Sequence, residues 1–181
     1  MNTSFPQIPT SPAYPRWSET LRDHSYVRIR PLDLRADPAE MDSLELSPDT
    51  KRFRLLGEAN YPDVHMTDRH VPIEYPHDVA FVAVTPEDAR ERIVGASCFR
   101  TDQGCQHCEC IVTITDEWLK KGLATLLMKH VIEVARANGI RRMTAVDRAG
   151  NVQMKELTTA LGFHTRMDPD DACQVLHEIE L

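Results

Sequence analysis

Residues 108–139 read CECIVTITDEWLKKGLATLLMKHVIEVARANG, and this stretch decides the fold. The β-branched run from Ile111 to Ile114 is short enough for a buried strand. After a polar turn, apolar residues recur at the spacing of one amphipathic helix face: Leu123, Leu127, Val131 and Val134. Gly139 follows, where the end of a helix favours a positive φ. The stretch therefore predicts a strand, a tight turn and a helix.

The predicted helix begins with two small residues, Gly122 and Ala124. Small side chains let a ligand approach the backbone, and the first-turn N–H groups lack intrahelical partners. Such a helix start favours a phosphate or a pyrophosphate. The chain contains neither a Walker loop nor a Rossmann fingerprint. A plain strand-to-helix connection is therefore the alternative to a phosphate site.

Residues 119–124, Leu-Lys-Lys-Gly-Leu-Ala, resemble the pyrophosphate loop of the GNAT superfamily of acetyl-CoA-dependent N-acyltransferases. That loop has the pattern (Gln/Arg)-x-x-Gly-x-(Gly/Ala), which Gly122 and Ala124 match. Leu119 departs from the usual Gln or Arg, and Lys120 stands where a further Gly is common. Downstream, further residues resemble the family's Asn-x-x-(Ala/Met) and Leu-Gly-Phe segments: Asn151, Met154 and Leu161-Gly162-Phe163. The resemblance extends from about residue 26 to the C-terminus.

The resemblance implies an α/β fold: a single GNAT-like domain with a mixed, mostly antiparallel central sheet flanked by helices. It implies acetyl-CoA as cosubstrate, with backbone groups of a parted central strand holding the thioester and one N–H acting as oxyanion donor. The implied coenzyme contacts are Val112, Thr113, Ile114, Leu119, Lys120, Lys121, Gly122, Leu123, Ala124, Thr125 and Asn151. Read without the family, residues 112–114 fit a core, both lysines fit solvated surface, and Asn151 fits a helix N-cap.

The remaining chain divides into an arm, 1–24, and a domain, 25–181. Prolines at 6, 9, 12 and 15 exclude a helix from the arm and leave no strand alternation. Its aromatic residues could pack on the domain or on a second copy, which leaves a homodimer open: Phe5, Tyr14 and Trp17. Strands are predicted at 26–30, 79–84, 92–100, 108–115, 140–146, near 163 and at 173–180, with a turn at 86–88. Helices are predicted to start near Asp37, Ser47 and Asn151.

Glu109 is the candidate catalytic residue. An alkylammonium with a pKa near 10.4 is almost fully protonated at pH 7, so acyl transfer to an amine requires removal of a proton. A carboxylate on the central strand could accept that proton directly or through water. Glu109 stands thirteen residues before Gly122, where Pat-type protein lysine acetyltransferases place their proposed base. An exposed acid at the end of a hairpin is the alternative.

The N-terminal half resembles the acyltransferase domain of bacterial Pat-type enzymes in three segments: 29–31, 46–54 and 80–84. Many members of the superfamily carry a Tyr seven residues after the coenzyme-contacting Asn, as the acid for the leaving thiolate. Thr158 occupies that position and is a poor acid. The Pat-like branch also lacks the Tyr, so the resemblance leaves open which group protonates the thiolate.

The segment 105–110, Cys-Gln-His-Cys-Glu-Cys, raises the hypothesis of a zinc site. No second pair of ligands follows at finger spacing, and Cys108 and Cys110 fall on a predicted strand. No metal is therefore expected. The five cysteines, an odd number, indicate reduced thiols and a cytoplasmic protein.

The composition is that of a globular protein, with 41% hydrophobic and 27% charged residues among 181. A formal charge of −7 argues against a nucleic-acid partner and is compatible with a cationic acceptor. No apolar run is long enough for a membrane span, and no secretory signal is visible. The sequence thus predicts transfer of an acetyl group from acetyl-CoA to a primary amine, with protein lysine as the leading acceptor. A small amine is the nearest alternative, and a CoA-binding domain without activity is a second.

Overall fold

The computed structural model describes residues 14–32, 78–87, 90–102 and 104–181. The described strands are β1 (Trp17–Thr20), β2 (Tyr26–Pro31), β3 (Asp78–Glu87), β4 (Arg90–Thr101), β5 (His107–Ile114), β6 (Arg142–Arg148), β7 (His164–Met167) and β8 (Gln174–Glu180). The described helices are α1 (Leu123–Ala137) and α2 (Val152–Ala160). The strands form one sheet in the order β1-β2-β3-β4-β5-β6-β8-β7. The predicted α/β fold with a mixed, mostly antiparallel sheet is confirmed.

Only one pair of neighbouring strands in this sheet is parallel, the pair β5 and β6. A parallel pair needs a crossover connection, and α1 supplies it. The strands before this crossover form antiparallel hairpins, and β8 returns antiparallel to β6. The sheet therefore changes direction at its centre, between β5 and β6.

The helix face predicted from the sequence is the face that α1 buries. Its four periodic residues are all 5% exposed or less, and they pack in one cluster with Phe81, Phe99 and Met143 from the sheet. A second apolar cluster lies on the opposite face of the sheet, around Val82 and Ile93. The helix ends as predicted, because Gly139 follows it with a φ of 79°.

The N-terminal arm was predicted to lack strand structure, and this prediction is wrong for Trp17–Thr20. These residues form the edge strand β1, which pairs antiparallel with β2. The ring of Trp17 packs against Phe81, with centroids 5.2 Å apart, and stacks on His130 of α1 at 3.9 Å. Four residues among prolines are too few for alternation to be visible in the sequence. These residues form a strand because β2 provides the backbone groups with which they pair.

The structure corrects the extent of one predicted turn, and other predictions fall on residues that it does not describe. Pro86 and Glu87 were assigned to a turn but belong to the end of β3, which pairs with β4 as far as Glu87 and Arg90. The predicted helix starts at Asp37 and Ser47, and the prolines at 6, 9 and 12, lie outside the described residues.

Candidate functional site

The strands β5 and β6 part shortly after they begin to pair. Their ladder has three residue pairs, and the last joins Glu109 to Thr144. Beyond it β5 continues to Ile114 and β6 to Arg148 with no further pairing between them. The edge of β5 that faces β6 is thus open to a ligand along its second half. Val112, Thr113 and Ile114 all lie on this parted segment.

Glu109 is half-buried at the closed end of the parted strands. It lies directly opposite Arg100 on β4 and Thr144 on β6, so all three side chains share one face of the sheet. Arg100 directs two donors to Asp78 of β3: Nε lies 2.9 Å from Oδ1 and Nη2 lies 3.3 Å from Oδ2. Glu109 is thus half-buried on one face of the sheet, whereas the alternative interpretation has it exposed at the end of a hairpin.

The neighbouring cysteines point to the other face of the sheet. Cys108 and Cys110 are buried and pack in the cluster beneath α1. Burial raises the pKa of Cys108 to about 12, and it raises the pKa of Cys110 well above its usual value. Across the described ranges, no group of three or more His, Cys, Asp and Glu side chains is placed to hold a metal ion.

The loop from β5 to α1 leaves the start of the helix without a cap. A single 3₁₀ turn, Asp116–Trp118, leads to Gly122, the N-cap residue, at φ 90°. Neither a side-chain cap nor an acidic first-turn residue is present. In the part of the chain that the structure describes, no group accepts a hydrogen bond from the N–H of Leu123, Ala124 or Thr125. Three donors and the helix dipole are thus available to an anion.

The side chains of this loop have different surroundings. Leu119 packs against the core, and Leu123 is 1% exposed, so each has only its backbone available to a ligand. Lys120 is exposed and has a positive φ of 61°, which explains why a Gly is common at this position in the family. Lys121 lies 3.1 Å from Asp23 and 4.6 Å from the ring centroid of Trp118.

The residues Arg22 and Asp23 come from the turn between β1 and β2 and were not predicted at the site. A Cβ atom at Gly122 would lie 3.6 Å from Nε of Arg22, so the guanidinium lies over the loop. Sequence reasoning missed both residues because they were assigned to the arm, about 100 positions from the loop. Only the pairing of β1 with β2 brings them here.

Asn151 caps α2, as its alternative interpretation requires. Its Oδ1 accepts a hydrogen bond of 3.1 Å from the N–H of Met154. Its side chain also contacts Asp147 at the end of β6, whose Oδ2 is buried without a hydrogen-bond partner. Burial raises the pKa of Asp147 to about 6, against the opposing effects of the Arg148 N–H and of Asn151.

Thr158 is fully buried, and its hydroxyl is already engaged. Oγ1 lies 2.9 Å from the carbonyl oxygen of Met154 and 3.1 Å from Nδ1 of His177. Its single proton is thus directed into the protein, which agrees with its expected inability to act as the acid for the thiolate.

Known proteins resemble this chain over most of its length. The model of the acetyltransferase (GNAT) family matches residues 40–163. Acetyltransferase PA5475 of Pseudomonas aeruginosa is 42% identical over 166 residues, which cover 91% of this chain and 89% of that protein.

Solved structures share the fold at lower sequence identity. The GNAT domain of S. lividans PAT superimposes with a TM-score of 0.79 at 22% identity, covering 95% of this chain and 100% of that one. The protein yncA of Salmonella typhimurium, solved with its cofactor acetyl-CoA, superimposes with a TM-score of 0.59 at 19% identity, covering 86% of this chain and 94% of that one. Within the described residues, no helix is long and apolar enough to cross a membrane.

Proposed function

The chain belongs to the GNAT family of acetyltransferases, and from this premise we propose that it transfers the acetyl group of acetyl-CoA directly to the side chain of a protein lysine. That it is an acetyl-CoA-dependent acetyltransferase follows from the family. We propose in addition that the acceptor is a protein lysine, that Glu109 acts as base, and that the acetyl group passes directly between the substrates in a ternary complex. The observation that carries it is the position of Glu109 in the last pair before β5 and β6 part.

The residues present fit the coenzyme. Gly122 adopts a φ of 90° without a side chain, and the uncapped N–H groups of α1 suit a pyrophosphate. The parted segment of β5 would be available to pair with the amide groups of the pantetheine arm. When bound, acetyl-CoA would supply an activated thioester.

Glu109 is proposed as the general base. Its carboxylate takes a proton from the acceptor ammonium, directly or through water, and leaves a neutral amine to attack the thioester carbonyl. A backbone N–H among residues 112–114 donates to the oxyanion that forms. When the oxyanion collapses, the C–S bond breaks and CoA leaves as the thiolate, which takes a proton from water. Thr158 does not serve as the acid, because its hydroxyl proton is already held within the protein.

The choice of a protein lysine is supported by the sequence likeness to Pat-type enzymes in segments 29–31, 46–54 and 80–84. In the structure, Ile29 and residues 80–84 are buried strand residues, so the first and third segments also serve the fold, and 46–54 lies outside the described residues. Arg30 is half-buried and forms an ion pair with Glu91, in which Nε of Arg30 lies 2.9 Å from Oε2 of Glu91. The net charge of −7 is compatible with a cationic acceptor. A small amine is the alternative acceptor.

Thiol release from acetyl-CoA, measured against a panel of lysine peptides, polyamines, amino acids and aminoglycosides, tests this function. The proposal expects the highest kcat/KM with lysine peptides, and acetyl-lysine detected by mass spectrometry. A higher kcat/KM with a small amine would show that the acceptor is a small amine and that the proposed acetyl transfer is still correct. Coenzyme binding without turnover on any amine would indicate a CoA-binding domain without activity.

A further inference from the structure

We infer that Arg22 binds the pyrophosphate of the coenzyme, and that the turn between β1 and β2 forms a second wall of the coenzyme site. The inference rests on the acetyl-CoA site proposed above and adds a residue that the family loop does not contain. The contact that carries it is between Arg22 and Gly122.

The turn that carries Arg22 has a defined conformation. Leu21 N–H donates to the carbonyl oxygen of Ser25 at 2.8 Å, and His24 N–H donates to that of Leu21 at 3.0 Å. Asp23 accepts from the N–H of Ser25 at 3.1 Å. Leu21 is 5% exposed and packs in the same core cluster as Leu123, the first residue of α1. The turn and the helix start are therefore anchored in the same buried cluster.

Lys121 and Arg22 differ in their ionic partners. Lys121 has a counter-charge in Asp23, whose pKa is lowered to about 2 by the hydroxyl of Ser25 and then by Lys121. Arg22 makes no ion pair with any residue that the structure describes, although it lies over Gly122. The positive end of the α1 dipole lies beneath it. An anion bound at the start of α1 would therefore be close to the guanidinium as well.

A pyrophosphate has the chemistry to fill this position. Its oxygens can accept from the N–H groups of the first turn of α1 on one side and from the planar guanidinium on the other. An arginine suits this role because its donors form a fixed fork that matches phosphate oxygens. The alternative is an exposed arginine that only covers a glycine and has no ligand.

Calorimetric titration of the Arg22→Gln variant with CoA distinguishes a pyrophosphate-binding arginine from an exposed arginine without a ligand. We expect a loss of about tenfold in affinity, since one charge-assisted hydrogen bond contributes about 1.5 kcal/mol. Arg22→Lys should recover part of the loss. The matched control is Arg16→Gln, which removes another exposed arginine of the same N-terminal segment and should bind CoA like the wild type.

Two fragments of the coenzyme identify the group that Arg22 contacts. Dephospho-CoA, which keeps the pyrophosphate, should show the same tenfold loss. Pantetheine, which has no phosphate, should bind both proteins equally. Wild-type affinity of Arg22→Gln for CoA overturns the inference, as does an equal loss for pantetheine. A loss that disappears with dephospho-CoA would assign Arg22 to the 3′-phosphate instead. If the wild type itself fails to bind CoA, the proposed function fails together with this inference.

Discussion

Glu109 of β5 faces Thr144 of β6 in the last residue pair that joins the two parallel strands. Oγ1 of Thr144 lies 3.3 Å from the carbonyl oxygen of Cys108, so a side-chain hydrogen bond reinforces the ladder just before it ends. The carboxylate is therefore held at the point where the strands diverge. The proposed base thus has a fixed position at the end of the ladder.

Glu109→Gln should reduce kcat at pH 7 by about 10²–10⁴-fold, the usual effect of a lost general base. The amide keeps the size of the side chain but cannot accept the ammonium proton. Raising the pH should partly restore the rate, because more of the amine is then neutral. The measurement is a pH–rate profile with one active acceptor, together with CoA affinity, which should barely change.

Glu180→Gln is the control for this variant, since it removes an exposed carboxylate from the same face of the sheet. It should leave the profile unchanged. Wild-type rates at pH 7 for Glu109→Gln would eliminate Glu109 as the base.

Gly122→Glu should abolish most CoA binding, because it places a side chain and a negative charge in the pyrophosphate loop. It should also cost about 1–2 kcal/mol in unfolding free energy, since φ is 90° at this residue. Gly139→Glu is the matched control. Gly139 has a similar φ of 79°, and no atom lies within 4 Å of the Cβ that the substitution adds. The Gly139→Glu variant should show a similar decrease in the free energy of unfolding, and its affinity for CoA should be unchanged. Equal CoA affinity in the two variants would place the loop elsewhere.

Lys120→Gly should raise the free energy of unfolding by about 1 kcal/mol, because a glycine relieves the left-handed conformation at φ 61°. The same substitution at Lys129, an exposed residue within α1, should lower it by about 1 kcal/mol. Urea unfolding of the three proteins measures both effects. A loss of stability at both positions would contradict the backbone conformation of the loop.

Asp147→Asn should make stability less dependent on pH. The folded pKa of Asp147, about 6, lies above its ordinary value of 3.8, so the folded state binds this proton more tightly than the unfolded state. The stabilisation is complete below pH 4 and is lost as the pH rises to about 6. Two pKa units correspond to about 3 kcal/mol, so the variant should gain up to that amount relative to wild type between pH 4 and pH 7.

Urea unfolding of both proteins at pH 4, 5, 6 and 7 gives this difference, in which the other titrating groups cancel. A constant difference across the four pH values would show that Asp147 titrates normally in the folded protein.

The sequence alone determined the elements whose signal is local. Apolar residues at helical spacing place α1, and Gly139 ends it, because both effects act within a few residues. The same holds for the cap of α2 by Asn151. The strands β2 to β6 and β8 were predicted to within a few residues, since each buries a recognisable apolar run. The resemblance to a known loop added the coenzyme and the proposal that Gly122 contacts it.

Only the tertiary structure decided which residues meet. The strand β1 forms because β2 offers it a partner, and no pattern within Trp17–Thr20 shows this. The place of Arg22 over Gly122 follows from that pairing, since residues so distant in sequence meet only through the sheet. The parting of β5 from β6 after Glu109 is likewise invisible in either strand alone. Local propensity decides what a segment forms, whereas register and packing between distant segments decide what surrounds the site.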